Sequence, residues 1–227
     1  MRFWASALSI LVLTSFSVAV PRHIFVGGAG CWGGLGEEHN SSTDGHVSTT
    51  IRFNDASGFH VETGLAGSFG QVYAGFQEFE SIHERESTFS QYYNLDRDWN
   101  QSDRLLVGYR LVNENPHRVR ALIGISVSWG WMRRSKSYEQ AIRVDGELRG
   151  GIHASIHQTS KASLGVGGEL GCLIPLYRSF NASLIGRLDV INSQIGSRES
   201  HWMEGTDRNY LANIQLGLQY HFLHESD

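Results

Sequence analysis

The sequence is sparing with several residue types, and each shortage excludes something. Two cysteines, Cys31 and Cys172, stand far apart in 227 residues. They form no Cys-x-x-Cys or Cys/His spacing, so neither a disulfide framework nor a structural zinc site is expected. They read as two unjoined, semi-buried thiols. Only three prolines interrupt the chain, beside 26 glycines, which suits a strand-rich fold. Basic residues are not in excess: 19 Lys and Arg face 23 Asp and Glu, a net charge of −4. That leaves no basic stripe for nucleic acid. Past the N-terminus, no run approaches the ~18 uninterrupted apolar residues of a membrane helix.

The first residues have a composition of their own. One basic residue, Arg2, precedes a mainly apolar stretch from Phe3 to Leu13, then the mixed small, polar and apolar residues Thr14 to Ala19. Basic end, apolar middle and small-residue site make a secretory signal peptide. Ser17 and Ala19 suit the two small positions, which places cleavage before Val20 and divides the chain into a leader, 1–19, and one domain, 20–227. The apolar stretch is short and broken by serines, against a spanning helix. Cys31, within Gly-Ala-Gly-Cys, lies too far downstream and lacks the apolar lead of a lipoprotein signal.

What the chain has in abundance is alternation. From Tyr210 to Phe222 the even positions are Tyr, Ala, Ile, Leu, Leu, Tyr and Phe, and most odd positions are polar or glycine. Successive side chains point to opposite faces of a strand, so one face is apolar and the other nearly all polar. Phe180–Ile191, Leu164–Ile174 and Val119–Trp131 repeat the pattern. Further strands read at Arg104–Val112, Gly58–Gly70, His46–Asn54 and His23–Gly33.

A soluble β-sandwich also alternates. Three features favour a membrane. The clearest segments run about 11 to 13 residues, beyond the ~5–6 of soluble strands and near the ~9–11 of a tilted spanning strand. The polar faces mix glycine with charges of both signs. The apolar faces hold almost no charge, as lipid contact requires, and carry aromatic rings at their ends. Strands in hydrocarbon must satisfy every N–H and C=O internally, so the sheet must close. The expected fold is all-β: a closed antiparallel up-and-down transmembrane β-barrel of eight strands, with ten the alternative.

Leu-Gly-Val-Gly-Gly-Glu-Leu-Gly at 164–171, the turn at Pro175–Ser179, Asn-Ala-Ser-Leu-Ile-Gly-Arg-Leu-Asp at 181–189 and the final Gln-Tyr-His-Phe at 219–222 resemble small outer-membrane β-barrels. The family is that of the opacity-protein and outer-membrane-protein-A-like type. The likeness continues more loosely in Arg104–Trp131 and His23–Gly36 and covers about half the chain. It implies the cell outer membrane of a Gram-negative bacterium, outer-membrane lipids and lipopolysaccharide around the barrel, and the barrel-assembly machinery during insertion. Family members usually stop at the terminal phenylalanine read during assembly; here Leu223–Asp227 follows Phe222.

In such barrels the termini and short turns are periplasmic and the long loops face outward. Asn54–Ser57, Asn113–His117 and Pro175–Ser179 are then periplasmic turns, and Leu35–Asp44, Glu80–Asp103 and Asn192–Asn209 outer loops. Gln140–Ile156 also alternates, with Ile142, Val144, Leu148, Ile152 and Ile156 opposite Arg143, Asp145, Glu147, Arg149 and His153. Either it extends a large third outer loop above the membrane, or a further strand in Thr88–Leu95 makes ten. Asp145-Gly146 is a turn signal, although a two-residue turn there sets Val144 beside Glu147, against a tidy hairpin.

The inward face collects Arg52, His60, Glu62, Arg110, Arg120, Glu169, Arg187 and Asp189. An eight-stranded interior is only wide enough for its own side chains, so an internal ion-pair network is preferred over a charged pore lining. A triad reading takes His153-Ala-Ser155, which resembles the His-x-Ser of outer-membrane lipid A deacylases, with Glu169 as nominal third member. Catalysis requires the three to converge. His39, Asp44 and His46, and His83, Glu84 and Glu86, lack a diagnostic metal spacing. The loop aromatics Phe89, Tyr92, Tyr93, Trp99 and Trp202 either anchor a partner or pack the loops down. No catalytic, cofactor-binding or metal residue is assigned. The expected role is structural or one of adhesion-type surface recognition of a host or surface ligand through the loops, with a small porin-like channel as the alternative and a lipid-modifying enzyme behind it.

Overall fold

The computed structural model describes residues 23–43, 46–67, 70–89, 92–113, 119–144, 147–159, 162–177, 179–193 and 207–223. The leader and its cleavage site lie outside them. Nine antiparallel strands follow in order: β1 (His23–Thr43), β2 (His46–Gly67), β3 (Gly70–Phe89), β4 (Tyr92–Val112), β5 (Arg120–Val144), β6 (Glu147–Thr159), β7 (Ser163–Tyr177), β8 (Phe180–Ser193) and β9 (Asp207–Leu223). β1 pairs with both β2 and β9, and β4 pairs with β5, so the sheet closes on itself.

Nine strands occupy eight places in the ring. One edge of β5 pairs with β4 over Leu122–Ile142. The other edge pairs with β7 over Arg120–Gly130 and with β6 over Arg133–Val144. β6 and β7 therefore share one place, β6 continuing the sheet beyond the top of β7. The alternating segment 140–156 is thus the end of β5 and most of β6, an extension of the third outer hairpin. Ten strands are excluded, because Thr88–Leu95 is the tip of the β3–β4 hairpin.

Stagger fixes the width. Paired residues followed once around the ring lead from Ser163 of β7 through Gly130, Arg104, Gln77, His60, Ala29, Gly217 and Ser183 back to β7 at Leu173, ten residues on. Ten residues at ~3.3 Å against eight strands at ~4.8 Å give a tilt of roughly 40°, within the usual range of barrels. At that size side chains fill the interior.

Burial alternates as the sequence reading requires. In β9, Ile214, Leu216, Leu218 and Phe222 are exposed, and Leu211, Asn213, Gln215, Gln219 and His221 are buried. Outward residues of the other strands add to the same belt, including Ile24 and Val26, Val61 and Leu65, Leu105 and Val107, Ile123 and Ile125, Val166 and Leu170, and Leu184 and Leu188; β3 contributes the half-buried Val72 and Phe76. A belt of exposed apolar side chains around a closed ring is a lipid-facing surface. Trp32, Trp129 and Trp131 mark its far rim and Phe180, Tyr220 and Phe222 its near rim, where the two ends of the sheet meet at His23 and Leu223. Indole and phenol rings favour those two levels because each has an apolar body and a polar edge.

Two expectations are corrected. Asn54–Ser57 is not a turn: β2 runs through it, with Asn54 opposite Leu35 and Ser57 opposite Trp32. The ladder of β2 with β3 instead ends at the pair Gly67 and Gly70. Gly70 has φ +133°, and a Cβ there would meet the Arg110 carbonyl. Two expected strands are therefore one, and β3 was not foreseen, so the two errors cancel in the count. The outer loops Leu35–Asp44 and Glu80–Asp103 are mostly ladder, since polar strands in water still pair. Of the third, Asn192–Asn209, residues 194–206 lie outside the described residues, as do 114–117 of the turn Asn113–His117. Val144 does sit opposite Glu147, and the mismatch is taken up at Gly150. There the register shifts and φ is +63°, a bulge that only glycine adopts without strain.

Cys31 and Cys172 are both free thiols, Cys31 inside and near the far rim, Cys172 outward and near the β7–β8 turn. This gives a test on the unmodified protein. A membrane-partitioning maleimide added to the protein in lipid bilayers should label Cys172 and leave Cys31 intact until unfolding. Labelling of Cys31 with Cys172 spared would reverse the facing of both strands.

Candidate functional site: a sealed ionic core

Two arginines and three carboxylates form the middle of the interior. Arg110 of β4 grips Glu62 of β2 with both terminal nitrogens, Nη1 to Oε1 and Nη2 to Oε2, each at 2.8 Å. Its Nε donates to Glu169 Oε2 of β7 at 2.6 Å. Arg187 of β8 donates through Nη1 to Glu169 Oε1 at 2.8 Å. It also holds Asp189 side-on, Nε to Oδ2 at 2.6 Å and Nη2 to Oδ1 at 2.8 Å. Glu169 thus bridges two guanidiniums, and four strand positions are tied together across the barrel. Planar guanidinium suits this, since one group serves two carboxylates in a fixed fork.

Neutral partners take the remaining valences. Tyr73 donates its hydroxyl to Glu169, and the Arg110 guanidinium lies 4.0 Å from the centre of the Tyr73 ring. Gln219 donates to Glu62 Oε1 at 2.7 Å, His60 Nε2 lies 2.9 Å from Glu62 Oε2, and Arg187 donates to Ser126 Oγ at 2.7 Å. A second, smaller knot lies at Arg104, which donates to Ser128 Oγ at 2.9 Å and to the Ser163 carbonyl at 3.0 Å. Arg120 reaches Asn181 Oδ1 at 2.8 Å.

The charges lie between apolar layers. Cys31, Leu35, Ala56, Phe79, Met132, Ile191 and Leu211 pack together toward the far end. Leu122, Leu173 and Ile185, and Phe25 with Ala66, Tyr73 and Leu106, pack toward the near end. Each layer keeps water from the ion pairs, and the arginines, Glu169 and Asp189 have side chains at 0–1% exposure. Burial of these four groups is tolerated because each is paired with an opposite charge, whereas the equally buried Arg104 is held by neutral oxygens.

Of the inward residues expected from sequence, His60, Glu62, Arg110, Glu169, Arg187 and Asp189 come together, and Arg120 points inward nearer the end. The side chain of Arg52 lies outside the described residues. Arg104 was missed, although it shares parity with Arg110 on β4. Tyr73 and Gln219 were also missed; the first lies on the unforeseen β3, and Gln219 carries no charge to single it out.

The triad does not assemble. His153 and Ser155 are exposed on β6, and Glu169 is committed inside the barrel to Arg110, Arg187 and Tyr73. His83 lies on the opposite face of β3 from Glu84 and Glu86, and Glu84 pairs with Arg97 at 2.8 Å. Among the described residues no three His, Cys, Asp or Glu side chains are placed to hold a metal ion. The side chains of His39, Asp44 and His46 lie outside them, as do Phe89 and Trp202. Trp99 is packed down, donating its indole N–H to Glu80.

Beyond the belt, β3, β4, β5 and β6 form a projecting four-stranded sheet. Asp98 of β4 is its electrostatic pin, held by Arg134 at 2.9 Å and Lys136 at 3.4 Å. Burial alone would raise the Asp98 carboxyl, but the two cations outweigh it and hold it below the ordinary carboxylate range.

The ring, its lipid-facing belt and its filled centre define a transmembrane β-barrel. No family model and no curated protein matches the chain. Among solved structures it is similar to Neisserial surface protein A, at 10% identity and TM-score 0.46 over 88% of this chain and 97% of that one. It is similar also to the attachment invasion locus protein of Yersinia pestis (11%, TM-score 0.41, 89% and 100%) and to outer membrane protein H of P. aeruginosa (15%, 0.42, 88% and 99%). These are small outer-membrane β-barrel proteins. The fold assignment rests on the chain's own ring and belt, not on these likenesses.

Two outcomes follow. Arg110→Met orphans one side of both Glu62 and Glu169, and should cost about 3–5 kcal/mol in urea unfolding from lipid, the usual effect of breaking a buried pair. Adding Glu62→Gln removes one stranded charge and should recover part of the loss. At the outer sheet, a lowered carboxylate adds stability above its unperturbed pKa of about 4 and loses it as pH falls through its own lower value. Amide exchange in 94–100 and 134–140, corrected for intrinsic rates, should therefore quicken between pH 6 and pH 3. In Asp98→Asn it should be fast at both.

Proposed function

We propose that this protein is an outer-membrane scaffold that presents strand hairpins at the cell surface for recognition, and that its barrel conducts nothing. The observation that carries the reading is the contrast between the two parts of the sheet. Inside the belt, the cross-section is occupied by the Arg110–Glu62–Glu169–Arg187–Asp189 network between apolar layers. Beyond it, β3 to β6 run on as an exposed polar sheet with Ile152 and Ile156 uncovered. A chain that needed only to span a bilayer would have no use for so much ordered sheet in water. Short reversals sit at the end where β1 begins and β9 ends, and long hairpins at the other, the arrangement in which long loops face outward in such barrels.

On this reading residues 1–19 are an export leader removed before Val20, and outer-membrane lipids and lipopolysaccharide surround the belt. The assembly machinery acts on the final strand. The hairpins meet a host or surface ligand.

Conductance decides between scaffold and small porin. Protein recovered from the outer-membrane fraction, with an intact mass starting at Val20, should give no steady current in planar bilayers. Stable single-channel steps would replace the scaffold by a pore.

A further inference from the structure

β2 and β3 do not stay paired to their tips. Their ladder ends at Ser57 opposite Glu80, although both strands continue, β2 beside β1 and β3 beside β4. Where the hairpins part, a notch of about 500 Å³ opens on the outer surface, walled by Trp32, Asp55, Ser57, Glu80 and Ile82. It stands at the far rim of the belt, since Trp32 is the last apolar outward side chain of β1 and faces Ser57 across the pair.

The walls are of two kinds. Trp32 and Ile82 are large apolar groups left 56% and 61% exposed. Asp55 and Glu80 are exposed carboxylates that line the same notch, Glu80 opposite Ser57 at the end of the ladder and Asp55 two residues further along β2. Among the described residues neither carboxylate is paired with a cation. The nearby cations have their own anions: Arg97 pairs with Glu84 and Arg133 with Asp103. Glu80 accepts from the Trp99 indole, which orients it and leaves acceptor capacity free.

We infer that this notch is a binding site for a cationic amphiphile, an amine or guanidinium carried on an apolar chain. The two carboxylates and the Trp32 face take the charge. The apolar stem lies along Trp32 and Ile82 toward the belt. A neutral amphiphile lacks the first contact, and an anionic one meets two like charges.

Two sources offer this chemistry, a free amphiphile arriving from water and an amine-bearing lipid of the surrounding leaflet. Trp32 and Trp99 report on the notch, and Trp129 and Trp131, elsewhere on the rim, report on unspecific partition. Indole N–H signals of the refolded protein in phosphatidylcholine nanodiscs should be followed while octylamine or octanol is added. Octylamine should move Trp32 and Trp99 at concentrations at least about tenfold below octanol, the margin of one charge-assisted contact with a cation–π contact, and leave Trp129 and Trp131 in place. The double variant Asp55→Asn, Glu80→Gln should abolish that difference. In phosphatidylethanolamine nanodiscs, signals already shifted and insensitive to octylamine identify the lipid as the source; signals that still respond identify the free amphiphile. The inference fails if alcohol and amine act alike, if all four indoles move together, or if the double variant responds as the parent does. Should the variant not fold, the amine-to-alcohol comparison on the unmodified protein decides alone. The scaffold reading is tested separately by conductance, so either can fail without the other.

Discussion

A strand inside hydrocarbon has no water to receive its N–H and C=O groups, and each group left unpaired costs several kcal/mol. Everything else in this molecule depends on that constraint. It requires the ladder to return to its start, which the β1–β9 pairing achieves over His23–Glu37. Closure with a stagger of ten residues then sets the tilt, and eight places with that tilt set the bore. Width is therefore not a free variable that function could adjust. Once the ring is closed at this size, the interior must be filled, and the alternation that feeds the belt delivers every second side chain to the filling.

What fills it is polar for a reason of geometry. Inward positions are ringed by backbone that is already paired, so large side chains must find partners among themselves. Large groups alternate with glycine to fit: a Cβ at Gly124 would press on Arg110, and one at Gly75 on His60. The glycines at 165 and 167 similarly make room for Ser128 and for Asp189. Arg110 reaches across the bore, and carboxylates on two other strands, Glu62 and Glu169, meet it. The same network that ties the ring together fills its interior.

Much of this was legible from alternation, because period two is strict wherever one face meets lipid. Leu164–Ile174 and Tyr210–Phe222 can be read from parity alone, and parity also brought six of the core's ionisable residues onto one surface. The failures fall where that pressure is absent. Phe53, Asp55 and Ser57 point outward above the belt, in water, where nothing demands an apolar side chain. Asn-Asp-Ala-Ser-Gly there has the composition of a turn and the conformation of a strand. The end of the β2–β3 ladder, at Gly67 and Gly70, is flanked by an outward face on β3 (Val72, Ala74, Phe76, Glu78) too short in apolar residues to declare itself. Which carboxylate meets which arginine is a matter of stagger, and stagger is set by the whole ring.

The same loss of pressure explains the outer surface. Below the rim the strands have no choice of neighbour, because an unpaired edge would lie in lipid. Above it an edge can be left to water, and β2 and β3 separate at Ser57 and Glu80 while β3 to β6 stay joined. The rim is thus the level at which pairing stops being compulsory. The cleft between β2 and β3 opens there, next to Trp32 of the aromatic rim. With its interior filled by its own side chains, the barrel acquires concave, mixed polar and apolar surface at this height, where β2 and β3 part.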